Sequence, residues 1–149
     1  MLEETEILEN LGITYKLYFF CKELASLDEI SKAMNINTGQ IVRTFIFKDQ
    51  EGELFALLTS GNKTARSEEI QLKIGHNLFW PALYKDIILC FGYYSENFTP
   101  LSLLDKKIPT KFDEDLLYYG VVVIVSEDNK YCYEISSYDL YRIIVDVIF

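Results

Sequence analysis

Arg43-Thr44-Phe45-Ile46-Phe47-Lys48, then Asp49-Gln50-Glu51-Gly52-Glu53, then Leu54-Phe55-Ala56-Leu57-Leu58-Thr59: the reading of this stretch decides the fold. The two outer segments are rich in β-formers, whereas the central five residues combine a glycine with three acids and suit a turn. The stretch therefore predicts a β-hairpin.

Upstream, Ile7, Leu8 and Leu11 stand at helical spacing and Gly12 follows as a C′ residue, which predicts a helix over about 3–11. A short strand is expected around Tyr15 to Phe20. Ser26-Leu27-Asp28-Glu29 has the capping-box pattern, and Leu27, Ile30, Ala33 and Met34 continue it as an apolar stripe, so a second helix ends near Met34. Downstream, Ser67-Glu68-Glu69 offers a cap and an acidic first turn to a short helix stopping at Gly75. Pro81 suits the N1 position of a helix reaching about Leu89. Gly92 to Pro109 reads as a long functional or packing loop with room for one strand. Val121 to Val125 is a buried strand by composition, turned by Glu127 to Lys130 into Tyr131 to Ile135. Ser136 then caps a closing helix carrying Leu140, Ile143, Ile144 and Val147, with Asp139 as the acid three residues on.

Strands outnumber clear βαβ units, so the expected class is α+β with a mixed, mostly antiparallel sheet and flanking helices. At 149 residues, 50% hydrophobic and 15% aromatic, the chain suffices for one core, and residues 1–149 are expected to form a single domain. No run approaches the roughly 18 to 20 apolar residues of a membrane span, and the acidic start is unlike a signal peptide; a cytoplasmic protein without membrane contact is expected.

Cys21, Cys90 and Cys132 are odd in number and widely spaced, a pattern of free thiols rather than of a disulfide framework. His76 is the sole histidine and lacks ligand-spaced partners, so neither a metal nor any other cofactor is expected, and no Ser-His-Asp or Cys-His nucleophile is assembled. The net charge of −9 argues against broad binding to nucleic-acid backbones. Residues 39–67 nonetheless sum to +1 while residues 1–37 sum to −4, which leaves room for a local, end-on contact.

Several segments in chain order resemble one family. The helix Leu27 to Ile36 followed by Gln40-Ile41-Val42-Arg43-Thr44-Phe45-Ile46-Phe47-Lys48 is similar to the small-residue helix and the glutamine, aliphatic pair, lysine, threonine strand of YbaK and prolyl-tRNA-synthetase-associated editing domains. Leu57 to Asn62 looks like the family strand ending in glycine and an acid or amide. Phe91-Gly92-Tyr93 resembles the opening of its substrate loop, and Phe98-Thr99-Pro100-Leu101 its hydrophobic, Ser/Thr, Pro, aromatic segment. Ile108-Pro109 and Phe112 to Leu116 fit the family strand after that loop, and Tyr133 to Leu140 its closing strand and helix, so the resemblance spans about 12–144.

That resemblance implies a trans-acting aminoacyl-tRNA deacylase, hydrolysing the ester of mischarged tRNA through contact with the acceptor end. In such domains the terminal ribose hydroxyl helps position water, the lysine supplies a cation, and loop amides polarise the carbonyl. Arg43 stands at the lysine position and inherits only a cation's role, because arginine cannot serve as base or nucleophile. Gly61, Asn62, Gly92, Asn97, Phe98, Thr99 and Pro100 are the implied substrate-binding residues, and Lys63 and Arg66 the implied contacts to tRNA. Two departures stand out: Glu96-Asn97 replaces a glycine pair of the loop, and Ser102 replaces the glycine after the Pro-aromatic pair. They support an alternative, a non-catalytic module of the same fold that binds a tRNA end, a nucleotide or a partner protein.

Each residue also has a plainer reading. Arg43 is then a strand residue snorkelling to the surface, Lys63 and Arg66 a solvated helix start, and Thr99-Pro100 a strand terminator. Tyr93 and Tyr94 either stack on the terminal adenine or fill the core. Asp113, Glu114 and Asp115 read as a turn or helix start rather than an acid–base pair.

Overall fold

A computed structural model describes residues 3–20, 24, 26–62, 78–95 and 98–148, with side chains inside the closing helix described as far as residue 144. The predicted hairpin is its central feature. Strand β2 (Val42–Asp49) pairs antiparallel with β3 (Leu54–Ser60), setting Arg43 against Thr59 and Phe47 against Phe55. The turn closes because the Asp49 carboxylate accepts the amides of Glu51 and Glu53, both at 2.9 Å, while Gly52 takes φ +82°, a conformation costly for any residue with a Cβ.

Ahead of the hairpin lie α1 (Glu3–Asn10), β1 (Tyr15–Phe19) and α2 (Leu27–Met34). Gly12 takes φ +71° where the first helix stops, as its position predicts. Ser26 caps α2 by accepting the Glu29 amide at 3.2 Å, and Asn35 ends it at φ 54°. A 3-10 turn, Thr38–Gln40, then leads into β2.

Beyond the hairpin come β4 (Phe79–Pro81), α3 (Tyr84–Phe91), α4 (Pro100–Asp105) and β5 (Thr110–Phe112). A 3-10 turn (Glu114–Tyr118), β6 (Val121–Val125), β7 (Tyr131–Ser136) and α5 (Ser137–Ile148) complete the described elements. The strands form two sheets, β1-β7-β6 and β4-β2-β3-β5. All ladders among the described strands are antiparallel except β3 with β5. One parallel bridge, Ile41 to Val123, joins the sheets where β2 begins. No helix among the described residues is long and apolar enough to cross a membrane.

Two expectations are corrected. Pro81 does not open a helix: it is the last residue of β4, an edge strand where its missing N–H costs no ladder bond. The helix begins three residues later, with the Leu83 amide donating to Asp86 at 3.1 Å. Gly92 to Pro109 is not a long loop, because Pro100 occupies N1 of α4 and Thr99 caps it by accepting the Ser102 amide at 3.2 Å. The Ser67 to Gly75 helix lies outside the described residues.

The main core gathers Leu8, Val42, Leu58, Leu101, Val122, Tyr133, Leu140 and Ile144 from both sheets and three helices. Each such burial stabilises by roughly 1.5–3 kcal/mol. Tyr133 is fully buried, and its hydroxyl is satisfied by Thr5 at 2.7 Å. The closing-helix stripe is met by Leu140, Ile143 and Ile144; the Val147 side chain lies outside the described set.

Gly61 fits only without a side chain, since a Cβ there would lie 2.5 Å from the Thr38 carbonyl oxygen and 2.8 Å from that of Ile41. Backbone atoms cannot swing aside as a flexible side chain would. Gly61→Ala is therefore expected to cost about 1–3 kcal/mol, read as a lower urea midpoint; an unchanged midpoint would mean that the Thr38–Gln40 turn yields instead.

Candidate active site

Where β2 and β6 come together, a cavity of about 410 Å³ opens. Val42 to Phe45 form one side, Ile124, Val125 and the turn residue Asn129 another, and Leu24, Ser26, Leu27 and Ile30 a third. Phe98, Thr99 and Pro100 complete the wall. Most of these side chains are apolar, and Arg43 is the one charged side chain among the described lining residues.

The Arg43 guanidinium carbon lies 4.9 Å from the centroid of the Phe45 ring, two residues along the strand, a cation–π contact that orients the fork. Ser26 and Thr99, both lining the cavity, are the N-caps of α2 and α4. Two helix N-termini thus reinforce the positive potential of Arg43, although Asp28 and Glu29 in the first turn of α2 offset part of it. Across the ladder from Arg43, the buried Thr59 hydroxyl has no hydrogen-bond partner among the described residues, a state costing about 1–3 kcal/mol. The described lining holds no carboxylate, imidazole or thiol. The site is suited to holding an anion, or charge developing on oxygen, rather than to moving protons through side chains.

Phe98 is held by stacking on Phe91, with ring centroids 4.2 Å apart and planes 24° from parallel. Thr99 is held by its capping bond. Sequence reasoning named Arg43, Phe98, Thr99 and Pro100, and the structure brings all four to one cavity. Gly92 instead ends α3 at φ +85°, its amide donating to the Ile88 carbonyl at 2.8 Å, and does not line the cavity. Gly61 packs beneath the Thr38–Gln40 turn, while Asn62 borders a separate hollow of about 270 Å³ with Ser60, Asp115, Tyr118 and Tyr119. Asn97, Lys63 and Arg66 lie outside the described residues, as do Cys21 and His76.

Neither loop tyrosine reaches the cavity lining. Tyr94 packs against Tyr84 with centroids 4.6 Å apart, and Tyr93 bonds Glu127. Buried Asp113 accepts the Asp115 amide at 3.0 Å, which makes it a cap for the following turn. Burial pushes the Cys132 thiol up to about 12, so this cysteine is no nucleophile at neutral pH.

The sequence reading missed the α2 face and the β6–β7 turn as parts of the site. The apolar stripe of Leu27 and Ile30 was visible, but nothing local shows that it faces a cavity rather than solid core. Asn129, at φ 60°, carried a turn signal and no more.

A profile of the aminoacyl-tRNA editing domain matches residues 21–143. Among solved structures, the chain resembles the hypothetical protein APE2540 with a TM-score of 0.80 at 20% identity, covering 95% of this chain and 93% of that one. It resembles equally a candidate trans-editing enzyme for prolyl tRNA synthetase, with a TM-score of 0.80 at 19% identity, covering 95% and 89%. At such identities the likeness concerns the fold. Nothing among curated protein sequences matches. A profile match over most of the chain, on a fold shared with these structures, makes this protein a member of the aminoacyl-tRNA editing domain family.

Proposed function

We propose that this chain is a trans-acting deacylase that hydrolyses the ester of mischarged aminoacyl-tRNA, working as one editing domain over residues 1–149 in the cytoplasm. The observation that carries the reading is the convergence of Arg43, Phe98, Thr99 and Pro100 on one cavity in a chain of this family. The amino acid enters the hollow against the Phe98 to Pro100 wall. Arg43 holds a phosphate oxygen of the acceptor end or the oxyanion formed as water attacks the ester carbonyl. Water supplies the new C–O bond and its proton passes to the departing ribose oxygen, giving free amino acid and tRNA. With no described side chain placed as a base, a ribose hydroxyl of the tRNA positions the water. Lys63 and Arg66 contribute charge toward the acceptor end.

A panel of mischarged tRNAs tests this. At micromolar protein, at least one should be deacylated well above its spontaneous rate, and no acceleration across the panel would overturn the enzyme reading. Glu96, Asn97 and Ser102, in place of glycines, support a second reading, a binding module without turnover. It predicts retention of an acceptor-end RNA, lost in Arg43→Ala, with no hydrolysis.

A further inference from the structure

The turn between β6 and β7 reaches over to the segment that walls the cavity. Tyr93 donates its hydroxyl to both Glu127 carboxylate oxygens, at 3.0 Å each, and the Ser102 hydroxyl donates to Glu127 Oε1 at 2.9 Å. The carboxylate only accepts, so these directions are set. With its proton so committed, Ser102 Oγ is left to accept from Thr99 Oγ1, 3.3 Å away, while Thr99 Oγ1 accepts the Ser102 amide. Tyr93 precedes the wall and Ser102 follows it. A single carboxylate from another part of the chain thus ties both ends of the segment presenting Phe98, Thr99 and Pro100. The Tyr93 ring also packs on Phe98, 5.5 Å between centroids.

We propose that Glu127 is a positioning residue for the cavity, a latch that holds the Phe98 to Pro100 wall in register with Arg43 through Tyr93 and Ser102. The function of the latch, as distinct from its structure, rests on the deacylase reading above. The same bond explains one departure from the family pattern. A glycine at position 102 would leave the first turn of α4 without a tie to the β6–β7 turn, and Ser102 supplies one through its hydrogen bond to Glu127. Charged hydrogen bonds of this kind are roughly twice as strong as neutral ones. Burial, followed by the bond to Glu127, raises the Tyr93 pKa well above that of an ordinary tyrosine, so its proton stays in place throughout the physiological range. A wall displaced by about 1 Å can cost on the order of 10² in rate.

The latch is tested without reference to activity by amide hydrogen exchange at Ser102 and Leu103, whose N–H groups both donate to the Thr99 carbonyl. Glu127→Leu removes the acceptor and should speed exchange at both amides by about tenfold or more, a change of one factor of ten in the opening equilibrium, with the β2 and β3 amides unchanged. Glu127→Gln keeps an acceptor for Tyr93 and a donor for Ser102 and should restore most of the protection. Tyr93→Phe and Ser102→Ala should each give part of the effect, and they keep the test open if Glu127→Leu fails to fold. Unchanged exchange in folded variants would overturn the latch, whatever the activity. In the tRNA panel, Glu127→Leu should lower the ratio of kcat/KM between the best and next-best substrate by about tenfold, with Glu127→Gln restoring it; a loss of general stability would not move that ratio. Retained selectivity in a variant with loosened amides would overturn the positioning role. A wild-type protein that deacylates nothing would overturn the deacylase reading and, with it, the function assigned to the latch, and would leave the exchange result standing.

Discussion

Arg43→Ala is expected to lower kcat/KM on the preferred mischarged tRNA by about 10²–10³-fold, the scale of losing one electrostatic stabiliser of a developing oxyanion. Arg43 is the one charge among the described lining residues of an otherwise uncharged cavity, so no described neighbour substitutes for it. Its guanidinium also lies over the Phe45 ring, and part of any alanine effect is the loss of that contact. Arg43→Met separates the two: it keeps an unbranched apolar stem and removes the charge, so it should be nearly as inactive as the alanine variant while melting close to wild type. Arg43→Lys retains the cation and loses the planar fork. If Arg43 acts as a point charge, the lysine variant should stay within about tenfold of wild type; if it grips a phosphate with both nitrogens, the loss should approach that of methionine. Single-turnover rates on one aminoacyl-tRNA, with urea unfolding in parallel, read all three. An active Arg43→Met would remove Arg43 from the mechanism.

Phe98→Ala should be the most damaging substitution in the cavity wall for stability, at about 3–5 kcal/mol. The ring is 6% exposed and stacks on the equally buried Phe91, so its loss strips contacts from both the wall and the core beneath. For a chain of this size that corresponds to a fall in Tm on the order of 10 °C. Phe98→Leu refills most of the volume and should cost about 1.5 kcal/mol or less. Where both variants fold, the alanine enlarges the cavity and should widen the range of amino acids removed, whereas the leucine should not. A melting temperature unmoved by the alanine would mean that the ring is dispensable to the core.

Much of this architecture is legible locally. The hairpin was readable because strand composition and turn chemistry coincide between Arg43 and Thr59, and the Asp49 and Gly52 interactions of the turn are intrinsic to that peptide. The caps at Ser26 and Ser136 were readable for the same reason. Pro81 and Pro100 show where such reading stops. Each proline is compatible with a helix start or with an irregular or edge segment, and the choice depends on a partner: β2 draws Pro81 into an edge strand, while Leu101, Leu103 and Leu104, buried in the core, pull the segment after Pro100 into a helix.

By itself, then, the sequence determined the α+β class and the two hairpins, because these depend on propensity, spacing and chemistry within a few positions of the chain, while Arg43, Phe98, Thr99 and Pro100 were named through the resemblance of its motif order to the editing-domain family. Only the tertiary structure decided that those four share one hollow, that the α2 face and Asn129 complete it, that Gly61, Asn62 and Gly92 stand apart from it, and that Glu127 grips the loop from 25 residues beyond Ser102. These outcomes are contacts between distant segments, set by the bridge of Ile41 to Val123 and by the core that packs the two sheets together. No local periodicity encodes which residues such a meeting of sheets will bring face to face.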